Sequence, residues 1–114
     1  MAKQATFDLY RSIYLKRPRC PVTGRVGNEI HHCLIERGAS GLNPRDQFWI
    51  DQEWNCVLLS TEGHTILHTK NPKANLLCIQ SIVDFYGREF IEQKLSEIPF
   101  KSPTTLDAII QRNT

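Results

Sequence analysis

The sequence predicts an α+β fold. Two short apolar runs, residues 29–35 (EIHHCLI) and 55–59 (NCVLL), read as strands, and helical periodicity fills most of the chain on either side of them. Residues 6–16 form the first predicted helix, with Leu9 and Ile13, and Phe7, Tyr10 and Tyr14, at helical spacings, and Pro18 ends it. A basic, turn-rich stretch (RPRCPVTGRVGN) leads into the first strand. Between the strands runs a connection rich in Gly, Asn and Pro, ERGASGLNPRDQFWIDQEW. A loop that long inside a small domain tends to be functional. After the second strand, Ser60 or Thr61 caps a helix through GHTILHTK, with Glu62 in its first turn and Lys70 in its last, and Asn71-Pro72 stops it. Residues 74–86 are an amphipathic helix (Leu76, Ile79, Val83, Tyr86) closed by Gly87, and residues 88–98 are another, anchored by Ile91, Leu95 and Ile98. Ser102-Pro103 opens a last helix carrying Leu106, Ile109 and Ile110.

The 114 residues suit a single domain: a central core at about 20–70, an N-terminal helix at about 6–16 and a C-terminal helical extension at about 74–112. With 40% hydrophobic and 23% charged residues, the composition excludes collagen-like, coiled-coil and largely disordered proteins. No run approaches the roughly 18 apolar residues of a membrane span, and the N-terminus has no stretch of signal-peptide type. The expectation is a cytoplasmic protein, of a bacterial or phage-infected cell, with no membrane partner and with its cysteines reduced. A net charge of +2 conceals an asymmetry, because residues 1–45 carry +5 and the remainder −3. A basic half suggests a surface aimed at a polyanion.

Cys20, Cys33, Cys56 and Cys78 form no Cys-x-x-Cys pair, so they read as buried small hydrophobes rather than a four-cysteine zinc site. Cys20 and Cys56 alone precede elements of the candidate site. All four histidines fall in the middle segment. His64 and His68, four apart on a predicted helix, share a face and can share one divalent metal, with His31 or His32 adding a ligand from the strand. A lone His-x3-His pair is more often two partly exposed side chains. The adjacent His31-His32 pair in a strand, with no histidine elsewhere, shifts the balance toward a site.

The pattern Arg25-x3-Glu29-x-His31-His32, then Asn55, then His64-x3-His68 resembles the HNH (ββα-metal, or His-Me finger) endonucleases, and among them the colicin DNase-like variant. The resemblance covers residues 20–70, less than half of the chain, and agrees in order and chemical type at seven positions. It implies a ββα-metal core with flanking helices at both ends. It implies His31, His64 and His68 as ligands of one divalent ion (Mg2+, Mn2+, Zn2+ or Ni2+) and His32 as the general base. Asn55 would then fix the backbone around His32, and Arg25 and Glu29 would pair at the border of the site, with Arg25 reaching a phosphate. The connection from His32 to Asn55 is longer than in compact relatives of the family, and Arg37 and Arg45 within it are further candidate DNA contacts. Because neighbours in a strand point to opposite faces, a bend or bulge is expected at His31-His32.

These residue types also suit phosphodiester hydrolysis on chemical grounds. An imidazole titrating near neutrality activates water, and a divalent cation offsets charge developing on phosphate oxygens. The expected activity is hydrolysis of duplex or branched DNA to 5′-phosphate and 3′-hydroxyl ends, in a protein of phage or mobile-element kind. Two alternatives stay open: an RNase of the same fold, or a non-catalytic zinc-containing nucleic-acid-binding module. The C-terminal helices carry no motif, and their apolar faces are core or a homodimer surface.

Overall fold

Strand β2 (Cys56–Leu59) is buried at all four positions, which is why its sequence is an unbroken apolar run rather than an alternation. It pairs antiparallel with β1 (Glu29–His32), Glu29 lying opposite Leu59 and His32 opposite Cys56. The computed structural model describes residues 2–36, 44–69, 71–99 and 105–113. Around the two-stranded sheet these residues form α1 (Ala2–Lys16), α2 (Pro44–Ile50), a 3-10 turn (Glu53–Asn55), α3 (Thr61–His68), α4 (Pro72–Tyr86), α5 (Arg88–Ser96) and α6 (Leu106–Arg112). The fold is α+β, and its Cα radius of gyration of 13.4 Å is that of a compact chain this long.

The pleat divides the sheet between two cores. Cys56 and Leu58 face α1, where they pack on Ile13, with Leu9, Tyr10 and Ile30 completing the cluster. Val57 and Leu59 belong to the larger cluster with Ile79 and Ile82 of α4, Ile91 and Leu95 of α5, and Leu106 and Ile109 of α6. Each such side chain contributes about 1.5–3 kcal/mol by leaving water. The helix faces read from periodicity are therefore the buried ones, although Phe7, Tyr14, Leu77, Phe85 and Phe90 remain exposed. All four cysteines are buried free thiols, as expected of small hydrophobes. Cys20 and Cys56 lie in different clusters.

Three boundaries differ from the sequence expectation. Strand β1 ends at His32 instead of residue 35, because the amides of Leu34 and Ile35 are taken by the side chain of Asn55 and leave the ladder. The connection after it is not wholly irregular: Pro44 opens α2, a position where its missing N–H costs nothing. Asn71-Pro72 ends one helix and also starts the next, since the Asn71 side chain accepts from Lys73 N at 3.0 Å and Pro72 takes the first turn of α4. Ser60 caps α3 as expected, accepting from Gly63 N at 3.1 Å. Ser102-Pro103 lies outside the described residues, and α6 is capped by Thr105. No helix among the described residues is long and apolar enough to cross a membrane.

Candidate functional site

The site is built where β1 meets α3. Helix α3 is held against the turn preceding β1 by two contacts near its start. The Ser60 hydroxyl lies 2.8 Å from that of Thr23, and Gly63 sits so close to Cys20 that a Cβ there would be 2.5 Å from the sulfur. This anchoring aligns the next helical positions with the strand. Glu29 and His31 share the face of β1 that looks toward α3, and the Glu29 carboxylate bonds His64 Nδ1. A carboxylate only accepts, so His64 Nδ1 carries a proton, and in the neutral ring Nε2 keeps its lone pair. That Nε2 lies 2.6 Å from Nε2 of His68, one turn further on, with the rings stacked at 4.4 Å between centroids.

His31 is half-buried beside Asn75 of α4, and its Nε2 is buried with no hydrogen-bond partner. Burial pushes its pKa down. The Asn75 side chain opposes that shift, while the neighbouring rings of His32 and His64 add to it. A depressed pKa keeps the ring neutral near pH 7, the form that donates to a metal. Yet among the described residues no group of three or more His, Cys, Asp and Glu side chains is arranged to hold a metal ion. The set His31, His64 and His68 is thus not gathered as a trio: the α3 pair converges, and His31 stands apart from it. The donor chemistry still fits a cation, with a carboxylate-oriented imidazole, a facing imidazole and a neutral, orphaned third.

The expected bulge at His31-His32 does not occur. Pairing is one-to-one through His32, and Cys33 N extends the ladder by donating to Asn55 O at 2.7 Å. The backbone turns away only at Leu34, where the Asn55 amide intervenes. His32 consequently points to the opposite face from His31, beside Ile30 and Cys56. Its Nε2 lies 2.7 Å from Asp51 Oδ1, and its side chain is 13% exposed.

Asn55 is fully buried and holds the backbone on both sides of the site. Its Oδ1 accepts from Leu34 N and Ile35 N, and its Nδ2 donates to Ile35 O and Ile50 O. The expected Arg25–Glu29 pair is absent among the described residues, because Glu29 is engaged by His64. Arg25 is exposed on the turn before β1. Arg37 lies outside the described residues, and of Arg45 only the backbone, within α2, is described. Part of the basic half is already occupied. Lys16 pairs with Glu53, and Arg17 bonds Glu53 O and packs on the rings of Phe85 and Tyr86. Trp54 is a buried core residue and Trp49 is half-buried.

Asp51 is not legible in the sequence, because no sequence rule links a carboxylate to a histidine 19 residues earlier. Its Gln47-x3-Asp51 spacing was the one local signal available. No protein-family model matches this chain, and neither does any curated protein or solved structure.

Proposed function

We propose that this chain is a metal-dependent endonuclease of the HNH kind, with β1, β2 and α3 as its ββα-metal core, hydrolysing DNA phosphodiester bonds. The observation that carries the reading is the facing pair of imidazole nitrogens on α3, with Glu29 fixing the tautomer of His64. At 2.6 Å the two nitrogens share a hydrogen-bonding proton; a divalent cation about 2.0–2.1 Å from each would replace that proton as the rings open to about 3.3 Å apart. His64 and His68 would hold one divalent cation, with His31 having to close on it to serve as a third ligand, and the bound cation would offset charge on the phosphate oxygens and on the departing 3′ oxygen.

The protein residues divide the remaining work. His32 accepts a proton from water, whose oxygen forms the new bond to phosphorus while the bond to the 3′ oxygen breaks and that oxygen takes a proton from solvent. The products are 5′-phosphate and 3′-hydroxyl ends. His31 and His32 lie on opposite faces of the sheet, so the scissile phosphate would have to wrap the end of β1 to meet both. Asn55 holds that end rigid, and Arg25 offers an exposed guanidinium to a neighbouring phosphate. With one base and one candidate metal position per chain, each encounter cuts one strand.

Nicking of supercoiled plasmid, with Mg2+, Mn2+, Zn2+ or Ni2+ and with or without chelator, tests the reading. Cutting should require a cation and disappear in His32→Ala while metal binding persists. Loss of both metal and fold in that variant would favour a non-catalytic zinc module. Cutting of RNA alone would make the protein an RNase.

A further inference from the structure

We propose that Asp51 is the positioning residue of His32, holding its ring through Nε2 so that Nδ1 is the nitrogen left to accept the proton. This rests on the endonuclease reading. The contact is 2.7 Å from His32 Nε2 to Asp51 Oδ1, between a strand residue and the residue that closes α2. The carboxylate does not float. Gln47 Nε2 donates to both of its oxygens, at 3.1 and 3.2 Å, and Asp51 N donates to Gln47 O at 3.0 Å. An ionised carboxylate has no proton to give, so a neutral His32 must carry its hydrogen on Nε2 and its lone pair on Nδ1.

The two partners share one clamp. Asn55 takes the amides just after His32, at Leu34 and Ile35, and with its other end the carbonyl of Ile50, the residue before Asp51. Ile50 is itself fully buried. A single buried side chain therefore fixes the separation between the imidazole and the carboxylate. This also gives the long β1–β2 connection a use: it carries α2 and delivers Asp51 to the base. A general base gains from such orientation because an imidazole presented with its hydrogen toward the water is inert.

Two measurements on the full chain test the proposal. Long-range 1H–15N correlation of the His32 ring should show Nε2 protonated and Nδ1 bare in the wild type, with the other tautomer gaining population in Asp51→Asn. Plasmid nicking by Asp51→Asn should fall ~10- to 100-fold with metal affinity unchanged. A wild-type His32 protonated on Nδ1, or nicking by Asp51→Asn at the wild-type rate, would overturn the positioning role. Wild-type protein that cuts no nucleic acid with any ion would overturn the endonuclease reading and the catalytic use of the pair with it. The tautomer spectrum reads the pairing in either case, and needs no variant to fold.

Discussion

Asn55 grips both backbone polar groups of Ile35: its Oδ1 accepts from the Ile35 amide at 2.8 Å, and its Nδ2 donates to the Ile35 carbonyl at 3.0 Å. With Leu34 N at 3.0 Å and Ile50 O at 2.9 Å, all four bonds an amide side chain can make are made, without access to water. Asn55→Ala leaves four backbone groups short of a partner, each costing about 1–3 kcal/mol if it stays buried. The expected loss is about 3 kcal/mol or more in chemical denaturation, with faster amide exchange at Leu34 and Ile35. A loss below about 1 kcal/mol would mean that the segment is held by something else.

Much of this was legible in the sequence, and the rest was hidden for definite reasons. Helices α1, α4 and α5 announce themselves by apolar spacing, and Ser60 by its place before a periodic run. The end of β1 does not, because Cys33, Leu34 and Ile35 continue the apolar run while the side chain that bends them away lies 20 residues on. Helix α2 is only seven residues long, and its Pro44 sits among turn-forming neighbours. In the site, the His64–His68 pair follows from helix geometry alone. Glu29–His64 and His32–Asp51 are pairings across 35 and 19 residues that only the folded chain creates.

Glu29 is a metal-tuning residue on the proposed reading, since it orients His64. Glu29→Ala should weaken Mn2+ or Zn2+ binding ~10- to 100-fold in calorimetry while leaving the fold intact. Unchanged affinity would reduce the Glu29–His64 contact to a surface pair.

Gly27 is required by close approach. A methyl group there would lie 2.5 Å from Leu58 Cβ and 2.7 Å from its carbonyl carbon, and the backbone of β2 has no room to give. Gly27→Ala should lower stability by about 1–3 kcal/mol, read from the denaturation midpoint. A neutral result would show that β1 and β2 can separate locally without cost.

The buried thiols set an alkaline limit. Burial pushes Cys33 well above its ordinary value, and the adjoining Cys78 adds to this. Burial does the same to Cys56, with Asp51 contributing. Both stay protonated in the folded chain as pH rises through about 8.5, where the unfolded chain releases its thiol protons. Their contribution is therefore intact below that pH and is lost above it, at up to about 1.4 kcal/mol per pH unit for each thiol. Melting temperatures at pH 7.5, 8.5 and 9.5 should fall across the last step, and less steeply in Cys56→Ala. An identical slope in that variant would assign the loss to other groups.

The most direct measurement is an anomalous difference map from crystals grown with Mn2+ or Zn2+. The proposed function predicts one peak about 2.0–2.3 Å from Nε2 of both His64 and His68, completed by a nitrogen of His31, with His32 left unliganded. No peak at this site, or an ion held by other residues while these rings keep their present positions, would contradict it.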